Sequence, residues 1–266
     1  MMGRDEAHHL RQSLPPILDV ADEVIFVDTG SRDETLELVR QAGARLIETP
    51  WCDDFSTPKN LGISLASYSW ILNIDCDEIL QDTPRAGLLL RASCREASAP
   101  GFIITIDNLM ADGSITSSQA IRLFNNHPDI RFSNPVHESV ANSLYVHWPN
   151  HRLAVVEGVR LLHLGYQEGE NREKLWRNIG ILRTWLGREP DNLFGSYKLG
   201  TNLFHLGAVS EGLYFLRRAF DLLDKETDRN SWPFAEKLVE EYFRALLQSG
   251  QRDQAEEVRK KIAGWT

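Results

Sequence analysis

The sequence has few cysteines, no long apolar run and no excess of positive charge. Its three cysteines, Cys52, Cys76 and Cys94, are too few and too scattered for a disulfide framework or a zinc knuckle. Reduced cysteines are typical of cytosolic proteins. No apolar run reaches the roughly 18 residues of a membrane-spanning helix, and the first residues lack the apolar stretch of a signal peptide. The sequence therefore predicts a cytoplasmic protein without a transmembrane segment, and it leaves peripheral membrane contact through a partner or substrate open.

The charge balance is acidic. The 29 lysines and arginines are outnumbered by 38 aspartates and glutamates, which gives a formal net charge of −9. Nucleic-acid binders neutralise phosphates with lysine and arginine, so this balance predicts no nucleic-acid partner. One small diphosphate remains compatible with it, because a bound divalent cation can supply the missing positive charge.

Short apolar runs alternate with helical patterns in the first part of the chain. Strands are predicted over residues 23–27, 45–47 and 70–74, and helices over residues 5–14, 36–42, 59–67 and from Thr83 onward. This βαβα order indicates an α/β fold with a mostly parallel sheet and helices on both faces. Only Met1-Met2-Gly3 precede the first helix, so the first strand is expected to be truncated.

Two of these helices have recognisable start signals. Ser31 and Glu34 have the spacing of a capping box, which would open the helix at residues 36–42. Thr57-Pro58 reads as a cap followed by a proline in the first helical position.

The pattern changes near residue 101 and again near residue 166. Residues 101–106, 120–124 and 159–163 read as strands joined by longer polar loops, which favours mixed or antiparallel pairing. After Tyr166 only helical patterns occur. Gly200, Gly207 and Gly212 have the spacing of a tetratricopeptide-type hairpin, with a weaker echo near Gly250. We therefore expect one domain over residues 1–168 and a helical tail over residues 169–266 with two degenerate hairpins.

The strongest candidate site follows the strand at residues 70–74. Asp75-Cys76-Asp77 would place two carboxylates on one side of an extended strand end, with Cys76 turned away. Open α/β sheets bind ligands at this edge, and two neighbouring carboxylates need a counter-charge. Mg²⁺ or Mn²⁺ suits them, since these ions use one or two carboxylates plus substrate phosphates. An Asp-x-Asp alone is a weak signal, because exposed aspartates are common.

A second candidate site lies at the end of the strand at residues 23–27. In Asp28-Thr29-Gly30-Ser31, the glycine allows close backbone approach and the following helix start favours an anion. An ordinary strand-to-helix turn with a serine cap explains the segment equally well. The G-x-G-x-x-G spacing is absent, which disfavours a dehydrogenase. The lack of a phosphate-cradling glycine-rich loop near the start also ranks a two-metal nucleotidyltransferase last.

Three segments in this order resemble the family-2 glycosyltransferases. They are residues 28–35, residues 51–56 followed by Lys59-Asn60, and residues 70–78 with the Asp-Cys-Asp-Glu ending. The similarity is greatest to the branch with C-terminal tetratricopeptide-like helices, which includes lipopolysaccharide-core and peptide S-glycosyltransferases. The resemblance implies the GT-A fold, a nucleotide-diphosphate sugar donor and inversion at the anomeric centre.

The resemblance also implies a donor pocket. Asp28 would contact the nucleoside, with Thr29, Gly30 and Ser31 beside it, and Asp54 and Lys59 would belong to the same pocket. Many relatives have arginine in place of Lys59, and lysine keeps the charge but loses the bidentate fork. Arg122 could neutralise the diphosphate, although a salt bridge at a strand edge explains it equally well.

The metal site implied by the resemblance contains the acidic pair. Asp75 and Asp77 would bind the ion that bridges the diphosphate of the donor. In some GT-A enzymes a histidine after the last strand completes the metal shell, which matches His163, and imidazole is a competent ligand of Mn²⁺. A structural role for a lone histidine is the alternative.

An acceptor-side segment is found at Val136-His137-Glu138, which resembles the family's His-Glu segment. Inverting transfer is a single displacement, so a base should deprotonate the acceptor as it attacks. Glu138 is predicted to be that base, and His137 is predicted to orient it or the acceptor. The alternative is an exposed glutamate in a loop after Pro135.

The sequence thus predicts a metal-dependent inverting glycosyltransferase that uses Mg²⁺ or Mn²⁺. It would move a sugar from a nucleotide-diphosphate donor to a glycan, a lipid-linked saccharide or a peptide. The alternative is a catalytically impaired GT-A domain that acts as a binding scaffold through its helical repeats. The truncated first strand favours this alternative, because relatives begin with a full strand.

Overall fold

The computed structural model describes residues 1–95, 99–165, 172–229 and 232–265, and the chain forms two compact units. The first unit spans Met1–Glu170 and the second spans Asn171–Thr266. Each unit has its own apolar core, built around β-strands in the first and around helices in the second. The two units are therefore described separately.

Three parallel strands open the first unit. In sheet order they are β1 (Met2–Gly3), β2 (Ile25–Asp28) and β3 (Arg45–Glu48), connected by helices α1 (Ala7–Leu18) and α2 (Thr35–Gln41). The centre of β2 is the apolar run seen in the sequence, and Phe26 and Val27 are buried. Parallel pairing sets Gly3 beside Asp28, so the polar end of β2 lies at the carboxyl edge of this sheet.

A mixed five-stranded sheet follows in the same unit. Its strands are β4 (Trp70–Leu72), β5 (Glu78–Leu80), β6 (Gly101–Leu109), β7 (Ile115–Asn125) and β8 (Ala154–His163), in the order β4-β7-β6-β8-β5. β6 and β8 pair in parallel, and the other described neighbours pair antiparallel. In the chain, helix α3 (Ser56–Ser64) precedes β4, α4 (Thr83–Arg95) lies between β5 and β6, and α5 (Ala141–His147) lies between β7 and β8. The α/β fold expected from the sequence is confirmed, with mixed pairing after residue 101, whereas β5 was not predicted.

The predicted capping box before α2 is wrong. The Ser31 hydroxyl donates a hydrogen bond to the Asp28 carboxylate and accepts the Asp5 N–H at 2.8 Å. The first turn of α2 is held instead by Asp33, whose carboxylate accepts the Thr35 N–H at 2.9 Å. Ser31 is recruited by the turn at the end of β2, because a carboxylate is a stronger acceptor than a neutral group.

The cap of α3 is also not the residue predicted. The Asp54 carboxylate accepts the N–H groups of Ser56 at 2.7 Å and of Thr57 at 3.1 Å. Asp54 therefore satisfies the helix start, and Thr57 lies inside the first turn. A carboxylate at this position also complements the positive end of the helix dipole.

The first strand is short, as the sequence predicted. Met1 extends the parallel ladder by one residue, since its carbonyl accepts the Val27 N–H at 3.0 Å and its amino group donates to the Ile25 carbonyl at 2.9 Å. Beyond Met1, an apolar groove separates β2 from β4, and among the described strands none joins the two. Residues lining this groove include Val24, Ile25, Trp70 and Leu72.

The second unit is helical. Its helices are α6 (Arg172–Arg188), α7 (Leu193–His205), α8 (Val209–Asp224), α9 (Ala235–Gln248) and α10 (Arg252–Ala263). A Cβ on Gly200 would lie 2.7 Å from the backbone nitrogen of Leu216, and one on Gly212 would lie 2.7 Å from that of Phe204. These glycines let α7 and α8 pack closely, which explains the small-residue spacing in the sequence. Among the described helices, none is long and apolar enough to cross a membrane.

Candidate functional site

Five charged side chains of the first unit form an ion-pair cluster in which all but the partly exposed Asp75 are largely buried: Lys59, Asp75, Glu78, Arg122 and Glu138. Lys59 Nζ lies 3.0 Å from Asp75 Oδ1 and 2.6 Å from Glu138 Oε1. Arg122 contacts Asp75 Oδ2 at 2.9 Å and also pairs with Glu78. Each oxygen of Asp75 therefore contacts a different cation.

The cluster fixes the charge state of its members. Burial alone would raise the pKa of the Asp75 carboxyl, but Arg122 and Lys59 outweigh it and hold this pKa far below its ordinary value. Burial alone would lower the pKa of Lys59, whereas Asp75 and Glu138 raise it. For Glu78, which is 2% exposed, burial prevails over Arg122 and raises the pKa. Asp75 is thus ionised and Lys59 protonated at neutral pH.

Asp75 and Asp77 do not lie on an extended strand, contrary to the sequence prediction. β4 ends at Leu72, and a turn leads to β5, with the Glu78 N–H donating to the Asp75 carbonyl at 3.1 Å. The two carboxylates therefore have different partners, one in the ion-pair cluster and the other outside it. Cys76 does point inward, since it is 4% exposed and its thiol donates to the Met2 carbonyl at 3.3 Å.

Asp77 faces the end of β8. Its Oδ2 lies 3.2 Å from Nε2 of His163, and its carbonyl accepts the Leu164 N–H at 2.9 Å. The other ring nitrogen of His163 lies 3.0 Å from Oδ1 of Asn108 on β6. Burial disfavours the imidazolium, but the Asp77 carboxylate outweighs this effect and raises the pKa of His163.

Gly165 leaves space in front of this Asp77–His163 pair. A Cβ at position 165 would lie 2.6 Å from Asp77 Oδ2 and 2.6 Å from His163 Nε2. Any larger residue would push both polar tips away. A carboxylate oxygen and an imidazole nitrogen therefore converge on a region that the backbone keeps free of a side chain.

These residues fit a divalent cation held through few protein ligands. Within the described ranges, no group of three or more His, Cys, Asp or Glu side chains is arranged to hold a metal, so Asp75, Asp77 and His163 do not form a ready-made three-ligand centre. Mg²⁺ and Mn²⁺ sites commonly use one or two protein ligands and complete the shell with water and phosphate. The ion-pair cluster and Asp77 together contain four carboxyl groups but only two permanently charged cations, Lys59 and Arg122. This imbalance favours the binding of a further cation. Direct ligation by Asp75 stays a prediction.

Glu138 lies in a short loop that α3 positions. Ser133 and Ser139 close the loop through two backbone hydrogen bonds of 3.0 and 3.1 Å. Asn60 on α3 holds the segment before this loop, donating to the Phe132 carbonyl at 2.9 Å and accepting the Phe132 N–H at 2.8 Å. The neighbouring Lys59 holds the Glu138 carboxylate, so the glutamate is not a freely exposed loop residue.

His137 is exposed and has a backbone φ of 55°. A left-handed conformation is uncommon for a residue with a side chain, and such strain occurs most often at functional sites. Lys59 contacts Glu138 in this structure, and a role of His137 in orienting Glu138 stays a prediction. A role toward the acceptor stays a prediction.

The segment after β2 forms a tight turn. Asp28 Oδ2 accepts the N–H groups of Gly30 at 2.8 Å and Ser31 at 3.0 Å, and the Thr29 hydroxyl donates to the Gly3 carbonyl at 3.3 Å. Gly30 has φ +110°, and a Cβ there would meet nothing within 4 Å. Asp28 thus builds the turn beside an open space. Contact of these four residues, of Asp54 and of Arg122 with a donor stays a prediction.

Sequence reasoning missed three residues that shape the site. Glu78 belongs to the acidic motif, but its pairing with Arg122 depends on β5, which was not predicted. Asn108 is separated by 55 positions from His163, and nothing local marks it. Gly165 follows His163 closely, and a glycine at that point was a usable signal of close approach.

Comparison with known proteins shows that part of the chain matches a protein family. Residues 4–134 match the protein family described as glycosyl transferase family 2. A TPR repeat-containing protein of Synechococcus elongatus is 36% identical over 223 residues, which cover 82% of this chain and 55% of that protein. The glycosyltransferase SunS of Bacillus subtilis is 24% identical over 231 residues, covering 85% of this chain and 53% of SunS. The chain therefore spans about half the length of the curated relatives it matches.

Shorter and structural similarities agree with this assignment. An uncharacterised glycosyltransferase of Rickettsia felis is 38% identical over 80 residues, which cover 30% of this chain and 28% of that protein. The crystal structure of S. aureus TarS 1–349 in complex with UDP superposes with a TM-score of 0.53, at 12% identity, over 95% of this chain and 90% of that one. At this identity the likeness concerns the fold. With the three sequence motifs and the α/β fold of the first unit, residues 4–134 form a glycosyltransferase family 2 domain, and the first unit has the GT-A fold.

Proposed function

We propose that this chain transfers a sugar from a nucleotide-diphosphate donor to an acceptor hydroxyl or thiol, with inversion and with the help of Mg²⁺ or Mn²⁺. The observation that carries the proposal is the arrangement of Asp77 and His163 around the space left by Gly165, beside the ion-pair cluster. Two such ligands suit an ion that also binds the phosphates of a substrate. The complex of TarS with UDP supports a nucleotide of this class for the donor.

One group of residues would bind the donor and the cation, and another would act on the acceptor. Asp77 and His163 would hold the cation, which when bound supplies positive charge to the diphosphate leaving group. The turn at Gly30 offers open space near the end of β2, where open α/β sheets bind ligands. Asp28 would contact the nucleoside there.

Glu138 would act as the base. In the single displacement, the acceptor oxygen or sulfur forms a bond to the anomeric carbon as the bond from that carbon to the phosphate oxygen breaks. The acceptor proton passes to the Glu138 carboxylate, and the nucleoside diphosphate leaves. Lys59 keeps the carboxylate in place at 2.6 Å, which maintains its aim before the acceptor binds.

The acceptor belongs to one of three classes, a glycan, a lipid-linked saccharide or a peptide. Helices form the second compact unit of the chain, which lies beyond the family-2 match, and one relative is named a TPR repeat-containing protein. Helical repeats bind peptides and proteins through extended surfaces, which supports acceptor recognition by this unit.

Calorimetric titration with a panel of nucleotide-sugars, each with and without Mn²⁺, tests the donor half of the proposal. We expect binding of at least one donor that is stronger in the presence of Mn²⁺. Failure of every donor to bind would overturn the proposal and would favour the scaffold alternative.

Glu138→Gln tests the base. Glutamine keeps an oxygen that accepts a hydrogen bond from Lys59 but cannot take the acceptor proton. Transfer should therefore fall by about 10²–10⁴-fold, while donor affinity should stay unchanged. Steady-state kinetics with the donor found by titration measure both effects, and Glu37→Ala, an exposed acid on α2, is the matched control. Full transfer by Glu138→Gln would assign the base to another group.

A further inference from the structure

The imidazole ring of His163 lies between two oxygen atoms, and each oxygen faces a different ring nitrogen. Nδ1 is 3.0 Å from Asn108 Oδ1, and Nε2 is 3.2 Å from Asp77 Oδ2. A neutral imidazole has one N–H donor and one acceptor nitrogen. The partner that fixes the N–H on one side therefore decides what the other nitrogen can bind.

The orientation of the Asn108 amide is determined by the β6–β7 hairpin. Its Nδ2 group donates to the Thr116 carbonyl at 3.2 Å and to Ser118 Oγ at 3.1 Å. The Thr116 carbonyl can only accept, so the amide nitrogen must face the hairpin partner and the amide oxygen must face His163. Asn108 Oδ1 is an acceptor, and it therefore requires an N–H at Nδ1 of His163.

The consequence for Nε2 follows directly. With the proton of the neutral ring on Nδ1, Nε2 presents a lone pair toward Oδ2 of Asp77, which is also an acceptor. Two acceptors 3.2 Å apart need a cation or a proton between or beside them. Neighbouring ligands of one octahedral ion lie about 3.0 Å apart when each is about 2.1 Å from the ion, so the observed separation suits a shared cation.

Gly165 is the second, independent element. The position that its missing Cβ would take is 2.6 Å from each of the two acceptor atoms. The backbone at position 165 has no positive φ, so backbone conformation does not explain why glycine is found there. The close approach to the side-chain ends of Asp77 and His163 explains the absence of a side chain.

We propose that Asn108 and Gly165 are positioning residues of a cation site, with Asn108 setting the Nδ1–H tautomer of His163 and Gly165 keeping open the space that Nε2 and Asp77 face. The role of the cation in sugar transfer rests on the proposed function. The tautomer and the open space do not, because they depend on hydrogen bonds and distances within the chain.

The tautomer can be read in the unaltered protein. Long-range ¹⁵N–¹H correlation spectra of the full ¹⁵N-labelled chain, without metal and at alkaline pH, distinguish Nδ1–H from Nε2–H imidazole. The His163 signals are identified by their loss in His163→Gln. We expect the Nδ1–H form for His163, and an Nε2–H form would overturn the proposal. This measurement needs no Asn108 variant, so the tautomer of His163 is determined even if an Asn108 variant fails to fold.

Mn²⁺ titration then tests the site itself. The metal should broaden the His163 ring signals first. In Asn108→Leu, the Mn²⁺ concentration needed for the same broadening should be about 10–100-fold higher, the usual cost of losing the group that orients a histidine ligand.

Gly165→Ala should abolish the preferential broadening. Its thermal unfolding should change little, because the atoms displaced are the ends of side chains. Ser118→Ala is the matched control, since it removes one bond to Asn108 Nδ2 and leaves the contact of Oδ1 with His163; it should behave like the parent protein.

The outcomes separate this inference from the proposed function. Nδ1–H at His163 with Mn²⁺ broadening, but without binding of any nucleotide-sugar, would support the cation site and remove the transferase proposal. Donor binding that depends on Mn²⁺, but with unchanged affinity for the metal in Asn108→Leu and Gly165→Ala, would support the function and overturn the inference.

Discussion

Asp77→Ala should reduce sugar transfer by about 10³-fold or more. The cation stabilises the negative charge that develops on the leaving group in the transition state by several kcal/mol. Each 1.36 kcal/mol of activation free energy corresponds to about a tenfold change in rate. The backbone bond from the Leu164 N–H to the Asp77 carbonyl does not depend on the side chain, so the fold of the turn should persist. Donor affinity with Mn²⁺ should fall to the value measured without it.

A double-mutant cycle makes this prediction specific to a shared ion. If Asp77 and His163 hold the same cation, Asp77→Ala combined with His163→Gln should lose little more activity than Asp77→Ala alone. Independent roles would give additive losses in the free energy of activation. Glu37→Ala again controls for loss of a carboxylate elsewhere. Undiminished transfer by Asp77→Ala would remove the metal from the mechanism.

The sequence was sufficient to predict the strands and turns whose signals are local. The apolar run of β2 and the polar turn at Asp28 are adjacent in the chain, and the structure has both where they were expected. The glycine spacing of α7 and α8 similarly reports a contact between helices that follow each other directly. Periodicity and turn residues carry this information because they act over a few residues.

The pairing of side chains across the site was beyond sequence reasoning. Treating Asp75 and Asp77 as neighbours on a strand assumed that β4 continued past Leu72, whereas β4 ends there and the two carboxylates have different partners. Asp75 instead meets Lys59 from α3 and Arg122 from β7, and these contacts depend on sheet order. Sheet order arises from long-range pairing that no local pattern in one sequence specifies.

The ion-pair cluster also explains why a short first strand need not disrupt the turn between β4 and β5, which carries Asp75 and Asp77. The turn after β4 is anchored to α3 and β7 by Lys59 and Arg122, and to β8 through the Leu164 N–H. These elements all belong to the first unit and none of them is β1. Cys76 is the direct link of the turn to β1, through the Met2 carbonyl. The geometry on which the proposed transferase activity depends is therefore set mostly by the second sheet and α3.

Lys59→Met should strongly destabilise the first unit, whereas Lys59→Arg should not. The Lys59 side chain is 7% exposed and is the cation shared by Asp75 and Glu138. Removing one partner of a buried pair costs about 3–5 kcal/mol, and the partial exposure of Asp75 places the expected loss near the lower value. A loss of about 3 kcal/mol lowers the melting temperature of a domain of this size by about 6–12 °C. Arginine keeps the charge, so Lys59→Arg should lose less than half as much.

The combination of Lys59→Met with Glu138→Gln distinguishes electrostatics from packing. If the loss arises from leaving the Glu138 charge without its cation, the double variant should recover part of the stability lost by Lys59→Met. A packing defect would give no recovery, because methionine fills the same space in both. Calorimetry of the four proteins measures the coupling. The kinetics of Lys59→Arg then test whether Lys59 positions Glu138, because arginine keeps the charge next to Glu138 but changes the geometry of the contact. A fall in kcat with unchanged donor affinity would mean that Lys59 orients the base. A fall in donor affinity alone would place Lys59 on the donor side.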